Sequence, residues 1–165
     1  MEERLLLHWK YTQKEWENFV KIEKGNKKED NIYMGVAIVI LGTIVLMLAR
    51  DTSMLMGLAF AIPMGILIPY LRMKFSYGHL KTGVHHPEIQ VFTNYMLVNN
   101  HKIALFGDKR HVKKISILPT DNELELLEFV IEWFTRKGPN NDEFRIPIPK
   151  DQLEEARIFV NKYQK

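Results

Sequence analysis

Cysteine is absent from the 165-residue chain. Disulfides, thiolate zinc sites and cysteine nucleophiles are therefore excluded, which fits a reducing compartment. Compact chemical motifs are missing as well: there is no Gly-rich phosphate loop, no HExxH and no GxSxG. An enzyme needs a convergent nucleophile, base and oxyanion site. Nothing in the sequence assembles one, so the expectation is a non-catalytic protein with no cofactor. The histidines are His8, His79, His85, His86, His101 and His111. His85 and His86 sit beside Pro87, but adjacent residues rarely hold one ion without further ligands at helical spacing, so no metal is expected. A large charge surplus is lacking too. Residues 1–30 carry seven Lys/Arg against seven Asp/Glu, and residues 72–165 carry fifteen against twelve. That balance argues against nucleic acid as a partner. The opening MEERLLLHWKYT has an apolar run of only three leucines and no small-residue cleavage site after it, so a secretory signal is not expected.

Charge is scarcest between Asn31 and Leu71. These 41 residues hold one cation, Arg50, and one anion, Asp51. Asn31–Ala49 and Ser53–Leu71 are 19 residues each, and as helices each would reach about 28 Å, close to the ~30 Å hydrocarbon core of a bilayer. Residues such as Ile32, Val36, Ile40, Leu41, Val45 and Leu48 cover every side of the first helical wheel. A helix apolar all round must be surrounded by apolar material, and this chain is too short to wrap two of them. Ten strongly apolar residues in the first segment favour insertion by about 3–6 kcal/mol. The alternative is the buried hairpin of a soluble oligomer. Pro63 and Pro69 interrupt the second segment, and a kink is expected near Pro63. Arg50-Asp51-Thr52 is a tight connection, so the helices should be antiparallel, with Gly35, Ala37 and Gly42 suited to close approach. Lys14, Lys21, Lys24, Lys27 and Lys28 precede the first span, and Arg72, Lys74 and Lys81 follow the second. By the positive-inside rule both termini are cytoplasmic.

On either side the periodicity changes. Leu5, Leu7, Trp9 and Tyr11 alternate as in a strand. Thr12 and Glu15 form a capping box, followed by Trp16, Phe19 and Val20 at helical spacing. The polar EKGNKKEDN should then fray. Residues 1–30 thus read as a strand and amphipathic helix, 31–71 as the hairpin and 72–87 as a connector in which the second helix runs on to near Gly83. Residues 88–165 read as a β-rich domain. Its short runs of Val, Ile, Phe and Leu are separated by turn residues at Asn94, Asn99-Asn100, Gly107-Asp108, Asp121-Asn122 and Gly138–Asn141, which predicts a meander of antiparallel strands. Leu127, Phe129, Ile131 and Trp133 should face the core. Glu123, Glu125, Glu128 and Glu132 should lie on the wet side. Phe144, Ile146 and Ile148 share a face, and Pro147 and Pro149 place their strand at an edge. A last helix, capped by Asp151 with Glu154, carries a stripe of Leu153, Ala156, Val160 and Tyr163. The class is therefore α+β: a two-helix hairpin with an antiparallel sheet or partly open barrel, capped by a C-terminal helix.

This order, with LHWKYTQKEWENF before the hairpin and FRIPIPKDQ before the last helix, resembles the YcxB-like family of small bacterial membrane proteins. The resemblance implies a pleckstrin-homology-like cytoplasmic domain interrupted by a transmembrane hairpin, at the bacterial inner membrane. It implies no catalytic residues.

The candidate functional surface is DKRHVKK, with Lys109, Arg110, His111, Lys113 and Lys114. Near a bilayer it would meet anionic headgroups, at about 1 kcal/mol per cation; it would equally suit an acidic partner, or serve only to keep a strand edge from aggregating. The expected role is an adaptor or regulator of a protein partner at the membrane. The alternatives are a lipid-sensing module and a subunit of a small channel or transporter, the last requiring a homo-oligomer because the spans carry no internal charge.

Overall fold

In the computed structural model, residues 3–120 and 124–163 are described, apart from the side chain of Ser76. The predicted turn at Asp121-Asn122 and the carboxylate of Glu123 lie outside the described residues. The elements run β1 (Leu5–Lys10), α1 (Gln13–Arg50), α2 (Met54–Ser76), β2 (Glu88–Phe92), β3 (Tyr95–Val98), β4 (His101–Ala104), β5 (Arg110–Leu118), β6 (Leu126–Thr135), β7 (Gly138–Pro147) and α3 (Leu153–Tyr163). The protein is α+β. Two compact units emerge: Met1–Phe19 with Thr82–Lys165, and Val20–Lys81.

The first unit holds all the strands. In place of a single meander, they form two antiparallel sheets, ordered β1-β2-β3-β4 and β5-β6-β7. No closed barrel forms among the described residues. β1 joins the first sheet through β2, with Trp9 opposite Ile89 and Lys10 opposite Glu88. Three further bonds hold β1 and its exit. The Trp9 indole donates to Glu155 Oε2 of α3 at 2.7 Å, the Tyr11 hydroxyl donates to the Pro147 carbonyl at 2.7 Å, and the Tyr11 N–H donates to the Pro87 carbonyl at 2.9 Å. Two-residue hairpins shape the rest. Asn99 and Asn100 take φ of 49° and 64° between β3 and β4, the doubly left-handed turn that asparagine tolerates and strand twist favours. Between β6 and β7 the turn is Arg136-Lys137, so β7 begins at Gly138 and the predicted turn at Gly138–Asn141 is strand instead. The Thr135 hydroxyl closes this turn, donating to Gly138 O at 2.8 Å and accepting from Lys137 N–H at 3.2 Å.

The core of this unit is built from Trp9, Trp16, Phe19, Ile89, Met96, Leu127, Phe129, Ile131 and Ile146, all essentially inaccessible. Trp16 packs between Tyr11 and Phe19, with ring centroids 5.9 and 5.4 Å away. On α3 the buried stripe is Ala156, Phe159 and Val160, with Phe159 against Phe129. Tyr163, expected in that stripe, is 40% exposed. The helix also starts later than its expected cap: Gln152, not Asp151, supplies the first accepting carbonyl, to Ala156 N–H at 3.0 Å. Glu128, expected on the wet face, is buried because Arg145 Nε donates to it at 3.0 Å.

The second unit is the hairpin. Both of its helices are long and apolar enough to cross a membrane, and their large side chains point outward, Leu48 being 82% and Leu55 79% exposed. EKGNKKEDN does not fray. It is part of α1, since its lysines and glutamates are good helix formers that outweigh Gly25. The capping box forms at the start, with Thr12 N–H and hydroxyl both donating to Glu15 Oε2, at 2.9 and 2.7 Å. α2 runs through Pro63 and Pro69. It stops at Ser76, short of Gly83, where Tyr77 leaves helical geometry at ψ 28°. Between the helices, Asp51 adopts φ 51° and Ser53 caps α2 by accepting from Met56 N–H at 3.4 Å.

Close approach of the helices centres on Gly35 and Gly65. A Cβ on Gly35 would fall 2.6 Å from the Gly65 carbonyl oxygen, and a Cβ on Gly65 would fall 2.8 Å from that of Gly35. Gly57 meets Thr43, and Gly42 meets Ala61. Ala37 is exposed and takes no part in this contact.

Two measurements test this account. Gly65→Val overpacks the crossing and should cost about 1–3 kcal/mol in detergent unfolding. Gly25→Ala should stabilise by about 0.5–1 kcal/mol, because a Cβ there meets nothing within 4 Å. Separately, a hydrogen bond from His8 at 2.9 Å holds the Glu88 carboxyl below the ordinary glutamate range. A depressed carboxylate contributes stability above that range and loses it as pH falls through the folded value. NMR titration of Glu88 should give a low midpoint that returns toward the ordinary value in His8→Ala.

Candidate functional site: the edges of the three-stranded sheet

β6 is the centre of this sheet, and its alternation sets both faces. Leu127, Phe129 and Ile131 point into the core, so Glu128, Val130 and Glu132 point outward. Register then builds three rows on the outer face: His111, Glu132 and Asn141; Lys114, Val130 and Glu143; Ser116, Glu128 and Arg145.

The predicted basic run lies at the start of β5, and the structure partly neutralises it. Lys113 Nζ sits 2.6 Å from Glu132 Oε1, and His111 Nε2 lies 3.7 Å from Glu132 Oε2. Arg110 reaches Asp142 at 4.0 Å and donates to the Ala104 carbonyl at 3.3 Å. Lys109 and Lys114 are exposed, without an ion pair among the described residues. The run is therefore one column of a charge-compensated face, which a linear reading of DKRHVKK does not reveal.

Neighbouring residues that this reading missed complete that end of the sheet. Phe134 N–H donates to the Lys109 carbonyl at 2.9 Å, and its ring stacks on His111 at 5.9 Å. Phe134 and Phe106 are each about half exposed, at 48% and 47%. Arg136 and Lys137 follow in the β6–β7 turn and are exposed. The sequence signal was the basic pair itself, which becomes informative only once the turn is known.

The two edges of the sheet differ. The register of β5 slips between Val112 and Lys114, and α3 packs beside the strand. A bulge, lysines and a covering helix are ways of closing an edge. β7 has none of these over its 10 residues and pairs with β6 without a slip. The Ile148 N–H donates to the Glu125 carbonyl at 2.8 Å. This bond makes Leu126–Pro147 a wide pair of the antiparallel ladder, in which the backbone groups point away from the partner. Counting back by two along β7, the outward positions include Glu143, Asn141 and Pro139. Both prolines of the strand therefore lack a donor only on the outer edge, where no ladder bond is lost. Between them Asn141 and Glu143 present N–H and C=O groups outward.

The outward carbonyl of Pro147 is taken by Tyr11. Burial, and then the Glu15 carboxylate, push the Tyr11 phenol well above its ordinary value, which keeps it a donor. Beside this contact a pocket of about 170 Å³ is lined by residues including Tyr11, Asn18, Leu124 and Pro149. His85 and His86 lie on the exposed segment before β2.

Comparison with known proteins finds no matching family model, no matching curated protein and no matching solved structure.

Tyr11→Phe should cost about 1–2 kcal/mol by leaving the Pro147 carbonyl unpaired. Thermal unfolding of the two chains side by side checks it; an unchanged midpoint would mean that the bond contributes nothing.

Proposed function

We propose that this chain is a membrane-anchored, non-catalytic adaptor of the YcxB-like kind. Its outward apolar hairpin is solvated by lipid, and its sheets and C-terminal helix form a pleckstrin-homology-like module on the cytoplasmic face of a bacterial inner membrane. Large apolar side chains exposed along both long helices support the membrane location. The four-plus-three strand arrangement with α3 behind it supports the pleckstrin-homology-like reading.

The observation that carries the adaptor role is the β7 edge. A strand with outward backbone groups at Asn141 and Glu143, bounded by Pro139 and Pro147, can take a short extended peptide by strand addition. The prolines limit the added strand to a few residues and prevent runaway pairing. A second reading, contact with anionic headgroups, is favoured by one observation: the half-exposed Phe134 is bonded to the carbonyl of Lys109 and is followed closely by the exposed Arg136 and Lys137 of the turn.

Because the chain has no cysteine, single introduced thiols report topology cleanly. Asp51→Cys should react with an impermeant maleimide in intact spheroplasts, and Lys109→Cys only after lysis; the reverse pattern rejects the orientation. For the partner, a photo-crosslinking residue at 141 should capture one protein from native membranes. Asn141→Pro removes only an outward donor and should abolish capture by a crosslinker at 143, with secondary structure retained. Capture that survives this substitution would exclude the β7 edge.

A further inference from the structure

The hairpin contains a groove of about 490 Å³ running beside the Gly35–Gly65 crossing. Its two ends are chemically different. Lys28 and Asn31 lie toward one end with Tyr70 and Met73, and Val36, Val39, Ile62 and Ile66 are among the apolar residues that line the groove beyond them. Val39 lies eleven positions beyond Lys28 on α1, about 16 Å along the helix axis, or roughly half of a ~30 Å hydrocarbon core. The groove thus has the depth of one leaflet, with its polar end toward the surface.

Asn31 is the unusual residue. It is 2% exposed. Its Nδ2 donates to the Lys27 carbonyl at 2.6 Å and meets Met73 Sδ at 3.3 Å. Its Oδ1 is buried and meets no donor. A buried acceptor left unmet is costly and calls for a donor from elsewhere. Lys27 is turned to Glu23, 3.6 Å away, and to the Tyr77 ring. Lys28 is exposed and remains the cation at the groove's mouth.

We propose that this groove binds one phospholipid. An acyl chain lies along Val36, Val39, Ile62 and Ile66. The phosphate pairs with Lys28, and a headgroup hydroxyl or ammonium donates to Asn31 Oδ1. The proposal rests on the bilayer location above. A lipid matches a groove that is cationic and hydrogen-bonding at one end and methyl-lined along the rest.

The test uses the full chain extracted from native membranes in mild detergent and weighed by native mass spectrometry. One phospholipid per chain should be retained. Val36→Trp fills the groove and should remove it, whereas Leu41→Trp, on an exposed position outside the groove, should keep it. Lys28→Glu with Asn31→Leu leaves the Gly35–Gly65 contact in place and should lower retention at least tenfold. In exchange experiments, phosphatidylglycerol and phosphatidylethanolamine should displace the retained lipid at least tenfold better than phosphatidylcholine, whose headgroup has no donor. A wild-type chain without lipid, or equal retention in both groove variants, overturns the proposal. A protein dimer that Val36→Trp dissolves would assign the groove to a second copy. Recovery of the chain in the detergent-free soluble fraction would instead reject the bilayer reading itself.

Discussion

The pairing of β1 with β2 is the interaction on which the rest depends. Leu5–Lys10 lies against Glu88–Phe92, and the chain between them leaves and re-enters at bonded residues, with Tyr11 N–H on the Pro87 carbonyl. An insertion of any length is compatible with a sheet if its two ends meet in this way, because loop-closure cost grows only slowly with length. The long helical segment therefore costs the β-rich unit little beyond the closure itself. Trp9 and Tyr11 then extend the seam to α3 and to the end of β7 through Glu155 and Pro147. A substitution that prevents β1 from docking would thus disturb the first sheet, the last helix and the β7 terminus together.

Strong, local signals were the legible ones. Alternation in Leu5–Tyr11, the Thr12–Glu15 box and the apolar hairpin with its Arg50–Thr52 turn each appear in the structure close to where the pattern places them. Asn99-Asn100 was also readable, since few residues accept two consecutive positive φ angles. Signals that depend on a distant partner were not. Gly65 shows its role only when Gly35 is set opposite it. Glu128 looks solvated until Arg145 arrives on the next strand. Gly138–Asn141 looks like a turn because its composition is that of turns; the Thr135 hydroxyl closes the chain two residues earlier.

The same distinction governs the site. DKRHVKK is conspicuous as a run of cations, yet Glu132 and Asp142 sit across the register from it and absorb much of its field. The β7 edge is inconspicuous in sequence, because what matters is which residues turn their backbone outward. That parity follows from a single bond, Ile148 N–H to the Glu125 carbonyl. Residue type alone places Pro147 near an edge; register shows that Pro139 and Pro147 flank a usable one.

The β1–β2 seam also imposes an order on synthesis. Residues 5–10 are translated before their pairing partner at 88–92, by several seconds at about 5–20 residues per second. Throughout that interval β1 lacks the strand it pairs with. The apolar helices are made in between, before any sheet hydrogen bond between β1 and β2 can exist. β1 thus docks well after it is made.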